Sequence, residues 1–466
     1  MRDDSSSSPS GDGSSPPAAA TALHGDIAII GGGLAGMTLA LACAGHGIRT
    51  VLVEAEALPD LTDQSYDGRS SAIAYGSQRV LAAIGAWPYI RDQAQPILDI
   101  RVTDGGSFQR DARRAGGISP FFVHYNHRDL PIEESIGGGH GHVGHIGHGH
   151  GTEQPPFGYI IENRASRIGL IRRLQEIPEI THVTGTTATA VDLRPEGASV
   201  TLSDGREIAT RLVIAADGRR SALRGFAGIG SQEFDYHQTA IVCTVAHELD
   251  HQGVAHEHFL PAGPFAMLPM VDGPDDAGVM RHRSSIVWTE DPRLVTFLLG
   301  LDDATFGSEI ERRFGLSLGP VRPIGPRFAY PLKLLVAERY LGDRLVLVGD
   351  AAHGIHPIAG QGFNLGIRDV AALAEVLVDA KRLGQDLGSP LVLERYARWR
   401  RFDNLLLAGV TDGLTRLFSN DLAPVRLVRD LGFALFNKLP PVKRLAMRHA
   451  MGLVGDLPKL VQGKPL

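Results

Sequence analysis

The chain has 466 residues, of which 43% are hydrophobic and 21% charged, and its formal net charge is −6. This composition excludes intrinsic disorder for the body of the chain, and a prior of about 150 residues per domain suggests about three structural units. The negative charge excludes a general nucleic-acid binder, and two distant cysteines, Cys43 and Cys243, exclude both a disulfide framework and a thiolate zinc site.

The sequence shows neither a membrane-spanning segment nor a secretory signal. No run of 18 apolar residues occurs, so no transmembrane helix is expected, and the N-terminus lacks the apolar core of a secretory signal. The low cysteine content also favours a reducing compartment. We therefore expect a cytoplasmic protein.

The first 25 residues differ in composition from the rest of the chain. Residues 1–25 are rich in Ser and Pro and contain no aromatic residue, which predicts a disordered tail. The body then begins with Asp26-Ile27-Ala28-Ile29-Ile30, an apolar β-branched run typical of a buried strand. A glycine turn, a helical stretch from Met37 to Ala44 and a second strand, Thr50–Val53, follow. This order predicts a βαβ unit and a parallel sheet.

The glycine turn matches the dinucleotide-binding pattern GxGxxG. Gly31 permits a tight turn, Gly33 allows the backbone to approach a pyrophosphate, and Gly36 allows close helix–strand packing. The N-terminus of the following helix, at Leu34 and Ala35, offers N–H groups to that anion. Glu54, at the end of the next strand, can accept hydrogen bonds from ribose hydroxyls.

A low-complexity loop of glycine and histidine occupies residues 137–151. One interpretation is a metal site formed by its five histidines, at positions 140, 142, 145, 148 and 150. The other is a flexible surface loop, because a chain with eight glycines does not preorganise ligands. The second interpretation is preferred, and no metal site is predicted.

The middle of the chain predicts a second sheet. Arg167 to Leu174 is helical in pattern, and Ser199–Leu202 alternates polar and apolar residues before an Asp-Gly turn. Further β-type runs follow, including Thr239–Val245 and Ser285–Trp288. We interpret residues 232–335 as a mostly antiparallel sheet domain, after which a helical region runs from about Asn364 to the C-terminus.

Two further motifs end apolar strands with polar turns. The first is Val213-Ile214-Ala215-Ala216-Asp217-Gly218-Arg219-Arg220-Ser221, and the second contains Gly349-Asp350-Ala351-Ala352-His353 and continues through His356 to Gly366. Either motif alone is compatible with a structural turn. Ligands of open α/β sheets bind at the carboxyl ends of strands, where Asp217 and Asp350 are expected.

The three motifs together, over residues 26 to about 400, resemble the group A FAD-dependent aromatic hydroxylases, which have the fold of p-hydroxybenzoate hydroxylase. The segment HPIAGQGFNLGIRDV resembles more specifically the ubiquinone-biosynthesis hydroxylases of the UbiH/UbiF type. The stretches Asp67–Ser77 and Ile161–Arg164 fit that subfamily as well. The resemblance implies an α/β fold with a Rossmann-like FAD-binding domain, a mostly antiparallel substrate domain and a C-terminal helical region.

The resemblance also implies roles for individual residues. Gly31, Gly33 and Gly36 would hold the FAD pyrophosphate, Glu54 the adenosine ribose and Asp350 the ribityl chain. Arg69 would lie on the flavin side, with Asn163 or Arg164 as a further contact. The remaining implied cofactor-binding positions are Leu34, Ala35, Asp217, Gly218, Gly349, Pro357, Gly360, Gln361, Gly362, Phe363 and Asn364.

The implied reaction is the hydroxylation of a polyprenylated phenol, with NAD(P)H as reductant, O2 as oxidant and a flavin C4a-hydroperoxide as the oxygen donor. The sequence does not identify a catalytic base. His356 and His353 are candidates for phenol deprotonation, and the alternative is that they orient the turn. The ring position, the prenyl-tail length and the oligomeric state are left open.

The implied substrate resides in the membrane, so the protein needs a surface that can reach it there. Residues 421–466 carry eight Lys or Arg against three Asp, interleaved with apolar residues such as Leu431, Phe433 and Phe436. This pattern fits an amphipathic surface on an anionic bilayer, which would make the protein peripheral on the inner membrane. It fits equally a helix packed on the core of the protein. A complex with other ubiquinone-biosynthesis proteins is a further expected partner interaction.

Competing hypotheses are a hydroxylase of a small soluble aromatic, a flavin halogenase, a non-catalytic flavin-binding scaffold and a histidine-rich metal-handling protein. The halogenase is disfavoured because no WxWxIP motif occurs.

The expected organisation is a disordered tail (1–25), a first FAD-binding part (26–104), a substrate-side segment with the His/Gly loop (105–156), a second FAD-binding part (157–231), the substrate sheet (232–335), a third FAD-binding part (336–395) and C-terminal helices (396–466).

Overall fold

The structure is a computed structural model that describes residues 22–63, 69–104, 122–130, 154–354, 361–401 and 439–466. Its strands in chain order are β1 (Leu23–His24), β2 (Ile27–Ile30), β3 (Thr50–Glu54), β4 (Ser70–Ala74), β5 (Gln95–Ile97), β6 (Asp99–Asp104), β7 (Phe122–Asn126), β8 (Gly158–Glu162), β9 (Ile180–Thr184), β10 (Ala188–Arg194), β11 (Gly197–Leu202), β12 (Glu207–Thr210), β13 (Leu212–Ala215), β14 (Ser231–His247), β15 (Val254–Leu260), β16 (Gly263–Pro274), β17 (Met280–Glu290), β18 (Val321–Ala337), β19 (Leu341–Gly342), β20 (Leu345–Leu347) and β21 (His353–Gly354). The helices are α1 (Leu34–Ala44), α2 (Leu58–Leu61), α3 (Tyr75–Ala83), α4 (Asn163–Leu174), α5 (Ala222–Phe226), α6 (Pro292–Leu299), α7 (Asp303–Phe314), α8 (Gln361–Arg382), α9 (residues 390–401) and α10 (Pro440–Ala450).

The expected βαβ unit is confirmed and lies in a six-stranded sheet. Its strand order is β19-β20-β13-β2-β3-β9, and β2 pairs in parallel with both β3 and β13. All four residues of β2 and of β13 are buried, as expected for strands covered on both faces. Because parallel strands share one direction, the carboxyl ends of β2, β3, β13 and β20 lie at one edge of this sheet.

The second large sheet has eight strands in the order β21-β18-β14-β17-β16-β15-β6-β7. The pairs from β18 through β15 are antiparallel, as predicted. The sheet extends beyond residues 232–335, however, because β6 pairs in parallel with β15, and β7 pairs with β6. Residues 99–104, predicted to belong to the FAD-binding part, are therefore a strand of this eight-stranded sheet.

Both ends of the chain differ from the sequence-based expectation. The predicted tail of residues 1–25 extends too far, since Leu23 and His24 form β1, which pairs with Ile208 and Ala209 of β12. Residues 1–21 lie outside the described part. The helical region does not reach the C-terminus, because residues 451–466 form turns after α10. Met451, Leu453, Leu460 and Val461 are buried, which explains why this segment packs on the body without helical structure.

Two helices cover one face of the eight-stranded sheet. Phe306 and Ile310 of α7, with Val295 and Leu298 of α6, pack against Trp288 and other buried residues of the sheet. The opposite face meets a small sheet, β4-β8-β5, through residues such as Ile160, which clusters with Ala255 and Met270.

Within the described ranges no helix has both the length and the apolar character needed to cross a bilayer. The His/Gly loop at 137–151 lies outside these ranges.

Candidate functional site

The turn between β2 and α1 can be built only with glycine at two positions. Gly31 has a φ of 108°, and a Cβ there would lie 2.3 Å from the carbonyl oxygen of Ala216. A Cβ on Gly36 would lie 1.9 Å from the carbonyl oxygen of Gly31. Both distances are far below contact, so the turn packs tightly against the helix and against the segment that contains Ala216. The first two sequence motifs are thus in direct contact.

Gly33 has a different environment from those two glycines. It is exposed, it is the N-cap of α1, and a Cβ on it would meet no atom within 4 Å. The space beside it is open at the N-terminus of an 11-residue helix whose first-turn N–H groups favour anions. This arrangement fits the predicted pyrophosphate contact, because a dinucleotide phosphate needs room beside a bare backbone.

Glu54 ends β3 directly beside this turn. A Cβ on Gly32 would lie 2.7 Å from the Cβ atom of Glu54, so the two residues are in close contact. One carboxylate oxygen, Oε1, accepts a hydrogen bond of 3.0 Å from the backbone N–H of Glu56, while the side chain is only half-buried. The carboxylate is therefore oriented and still accessible to ribose hydroxyls.

Asp217 follows β13 at the same edge of the parallel sheet. Its Oδ2 atom accepts a hydrogen bond of 3.2 Å from the backbone N–H of Leu223. Its Oδ1 atom is buried, and no described residue donates a hydrogen bond to it. A buried acceptor normally has a donor, so this atom is available to a hydroxyl or amino group of a bound cofactor. Gly218 next to it has a φ of 78° and open space beside it.

Two arginines join the motif that contains Asp217 to the motif that contains Asp350. The Arg219 Nε atom lies 3.8 Å from Oδ2 of Asp350, whose side chain is 53% exposed. The buried Arg224 donates hydrogen bonds to the carbonyl oxygens of Ala351, at 2.9 Å, and Arg219, at 2.8 Å. Asp350 is thereby held beside Arg219 with an exposed carboxylate, as expected of a residue that binds a sugar-like chain.

Gly349 brings the third motif against α1. Its φ of 58° is a conformation that glycine adopts at little cost, and a Cβ there would lie 3.6 Å from that of Ala35. Leu34 and Ala35, at the start of α1, are both half-buried. The three motifs that are separate in the sequence therefore meet at one edge of the parallel sheet.

Asn364 binds the backbone of β4. Its Oδ1 atom accepts a hydrogen bond from the N–H of Ala74, and its Nδ2 atom donates one to the carbonyl oxygen of Ala72, both at 2.8 Å. This side chain positions β4, where the sequence predicted a residue beside the flavin ring. Gln361, Gly362 and Phe363 begin α8, and Phe363 packs on the main core. Pro357, Gly360 and His356 lie outside the described residues.

His353 is buried in an ionic network. Its Nε2–H donates to Oδ2 of Asp369, which also accepts a 3.1 Å hydrogen bond from the N–H of Gly349. The Nε atom of Arg400 lies 2.8 Å from Oδ1 of Asp369. Burial alone would raise the pKa of Asp369, but the charges of His353 and Arg400 hold it well below its usual value. This geometry favours the alternative in which His353 orients the turn. Sequence reasoning missed Asp369 and Arg400, although a carboxylate within the apolar α8 was a signal.

The remaining predicted contacts surround the start of β4. Arg69 is exposed, and its carbonyl oxygen accepts a hydrogen bond of 3.0 Å from the N–H of Asn163. The Oδ1 atom of Asn163 accepts a bond of 2.6 Å from the Ser71 hydroxyl. Arg164 is ion-paired with Glu162. Asn163 and Arg164 therefore fix the local backbone at the start of β4.

Comparison with known proteins identifies the family. The model of the FAD binding domain family matches residues 24–402. The ubiquinone hydroxylase UbiL of Rhodospirillum rubrum is 48% identical over 95% of this chain and 93% of its own length. The chain belongs to the FAD-dependent ubiquinone-biosynthesis hydroxylase family. The resemblance predicted from the three motifs is thus confirmed.

Further relatives support the same family and fold. The 3-demethoxyubiquinol 3-hydroxylase of Escherichia coli is 34% identical over 92% of this flavin hydroxylase and 98% of the relative. The crystal structure of the p-nitrophenol 4-monooxygenase of Pseudomonas putida superposes with a TM-score of 0.70, covering 93% of this chain and 99% of the other at 20% identity. The predicted fold class, an FAD-binding α/β domain with a second sheet, is confirmed.

Proposed function

We propose that this hydroxylase uses bound FAD, NAD(P)H and O2 to hydroxylate the aromatic ring of a polyprenylated phenol in ubiquinone biosynthesis. The observation that carries the proposal is the meeting of Gly33, Glu54, Asp217 and Asp350 at one edge of the parallel sheet, in a chain 48% identical to a ubiquinone hydroxylase. NAD(P)H is proposed to bind transiently beside the flavin.

The residues at this edge hold the cofactor, which supplies the oxygen-transfer chemistry when bound. The backbone at Gly33 and the N-terminus of α1 hold the pyrophosphate, Glu54 binds the adenosine ribose, and Asp350 binds the ribityl chain. Arg219 keeps Asp350 oriented. The apolar strands of the second sheet exclude water from the reacting ring, which prevents unproductive loss of oxygen as hydrogen peroxide.

Substrate delivery is proposed to occur at a membrane surface through α10. One side of this helix is anchored by Met447, which is 1% exposed. Leu439, Val442 and Leu445 are instead 41%, 44% and 56% exposed. The exposed Arg444 lies between Val442 and Leu445 in the sequence, while its neighbour Lys443 is ion-paired with Asp129 at 3.0 Å. Such a surface suits an anionic bilayer that carries a prenylated substrate.

The test of the proposed function is a lipid profile of a strain that lacks the gene, measured by mass spectrometry. The proposal predicts less ubiquinone and accumulation of one precursor that lacks a ring hydroxyl, and the missing oxygen identifies the position. Complementation with the wild type restores ubiquinone, whereas a G33A variant, which blocks the pyrophosphate site, does not. A normal ubiquinone level in a strain with no other hydroxylase of this family would contradict the proposal and redirect the search to soluble aromatics.

A further inference from the structure

A buried carboxyl group, Glu257, lies in the middle of β15 on the face of the sheet opposite to the one that α6 and α7 cover. The rings of His256 and His258 lie 5.1 Å and 5.4 Å from the ring of Phe314, which belongs to the helix-covered side. Side chains alternate between the two faces of a strand, so Glu257 points to the opposite face. We call this opposite face the Ser285 face, defined by Val242, Glu257, Ala266, Ser285 and Val287.

The residues beside Glu257 on this face are apolar. Its cross-strand partners are Val102 of β6 and Ala266 of β16. The same row continues to Val287 of β17 and Val242 of β14. Glu257 is 9% exposed, and within the described residues its carboxyl group has no hydrogen-bond or ion-pair partner. A carboxyl group in such a row is costly unless it is neutral or has a partner that binds later.

The Ser285 face adjoins the predicted flavin side of the molecule. Ser285, two residues from Val287 on the same strand, forms a hydroxyl–hydroxyl hydrogen bond of 2.8 Å with Ser70. Ser70 directly follows Arg69, the residue implied to lie beside the flavin. Two residues along a strand span about 7 Å. The Glu257 row is therefore the next row beyond the contact with residue 70.

Burial along this face is uneven among the described residues. Ala255, two residues before Glu257, is buried in a cluster with Ile160 of β8 and Met451. Val102 and Val287, in the Glu257 row, are only half-buried. One row further on, the Thr289 hydroxyl is buried and without a hydrogen-bond partner among the described residues. The Glu257 carboxyl and the Thr289 hydroxyl, with the half-buried Val102 and Val287 near them, suit an aromatic ring that carries oxygen substituents.

We propose that Glu257 is the catalytic residue that accepts the hydroxyl proton of the bound phenol. The phenol O–H bond breaks, a carboxyl O–H bond forms, and the negative charge moves from the carboxylate to the phenolate oxygen. The phenolate ring is more electron-rich and accepts an electrophilic oxygen atom more readily. This assignment rests on the proposed function.

The pKa of Glu257 suits a group that accepts and releases a proton near neutral pH. Burial raises its pKa to about 7, so a large fraction is ionised at neutral pH and its conjugate acid can release the proton again. Other titratable groups on elements packed against this face are Tyr125, Tyr159, Glu162, Arg283, Arg448 and His449, together with Tyr236 and Tyr330, which pack in the cluster that contains Val242. Burial raises the pKa of both tyrosines to about 12, while burial lowers that of His449. Glu162 lies 3.5 Å from Arg283 and is held as its ion-pair partner.

The experiment uses the FAD-loaded full-length protein and a phenol that carries one prenyl unit. An ultraviolet difference spectrum reports whether the bound phenol is ionised, and product analysis reports hydroxylation. The wild type shows a phenolate band and an activity that falls as the pH drops below about 7. E257Q loses the band and about 10²- to 10⁴-fold of the hydroxylation rate, with a flat pH profile in that range. E257L, which matches the apolar row, behaves in the same way and guards against a folding defect.

The matched control is E233Q, which changes an exposed glutamate on β14 of the same sheet. It retains the phenolate band, the rate and the pH profile of the wild type. E257Q or E257L with wild-type band, rate and profile would overturn the assignment of Glu257. A wild-type protein that binds FAD but hydroxylates no prenylated phenol would instead overturn the proposed function, so the two failures are distinguishable.

Discussion

Asp369 and Arg400 form an ion pair whose two side chains are completely buried, with Nε and Oδ1 2.8 Å apart. The second carboxylate oxygen of Asp369 binds His353 and the N–H of Gly349. A single carboxylate on α8 therefore fixes both α9 and the turn that carries Asp350. The sheet edge at which the three motifs meet therefore depends on this interior charge network as well as on the motif residues themselves.

Replacement of Asp369 by Asn is expected to lower the free energy of unfolding by about 3–5 kcal/mol, because it removes the carboxylate charge that faces the buried Arg400 guanidinium. Chemical denaturation of the two proteins measures the difference. The control is D192N, since Asp192 and its partner Arg194 have side chains that are 50% and 66% exposed. That variant should change stability by less than about 1 kcal/mol. Equal effects of the two substitutions would contradict the network.

The same pair predicts a dependence of stability on pH. The folded-state pKa of Asp369 is depressed below the unfolded value of about 4. Its contribution is therefore fully present above about pH 4 and is lost as the pH falls from there toward the folded pKa. Thermal unfolding between pH 3 and pH 7 measures the difference in melting temperature between the wild type and D369N, which should narrow only at the acid end. A difference in melting temperature that is constant across this range would refute the assignment.

Substitution of the turn glycines should distinguish a glycine that leaves room for the cofactor from a glycine that close packing of the turn requires. G33A should fold normally and bind FAD much more weakly, because its methyl group enters the open space proposed for the pyrophosphate. G36A should be destabilised even without FAD, because its Cβ would overlap the carbonyl of Gly31. Apoprotein melting and FAD titration measure the two effects. G225A, another exposed glycine with open space beside it, should retain the FAD affinity of the wild type.

The exposed apolar residues of α10 should contribute to membrane binding. The double variant V442S/L445S should bind vesicles of phosphatidylcholine and phosphatidylglycerol at least about tenfold more weakly, since each side chain loses apolar burial in the bilayer. Vesicle flotation measures the bound fraction. L391S, which alters a leucine that is 78% exposed on α9, is the control and should bind as the wild type does. Unchanged binding of the double variant would contradict the proposed docking.

The two cysteines should be inert in the folded protein. Cys43 and Cys243 are buried, and burial raises the pKa of each thiol to about 12, so almost no thiolate forms at neutral pH. A thiol reagent should therefore modify neither residue in the native state and both after denaturation. Rapid labelling of the native protein would show that one of the two sites opens readily.

The parts of the site that could be predicted from sequence are those fixed by local order. Gly31, Gly36 and Glu54 follow from one βαβ unit, whose turn geometry is determined by neighbours in the chain. Asp217 and Asp350 could be placed at strand ends for the same reason. The mutual contacts of these motifs, such as Arg219 with Asp350, depend on which strands become neighbours.

Pairing between distant segments was not visible in the sequence. The partnership of β6 with β15 joins segments about 150 residues apart and moved residues 99–104 into the second sheet. Asp369 and Arg400 meet because α8 and α9 pack together, which no short pattern encodes. The direction in which Glu257 points depends on which face α7 covers, and only the tertiary structure determines this.

The most direct measurement of the central claim is oxygen incorporation from labelled O2. Purified FAD-loaded protein is given NAD(P)H, a short-chain prenylated phenol and ¹⁸O2, and the product is analysed by mass spectrometry. The account predicts a hydroxylated phenol that contains one labelled oxygen atom and no label when ¹⁸O is supplied only as water. Consumption of NAD(P)H and O2 with no labelled product, in protein fully loaded with FAD, would contradict it.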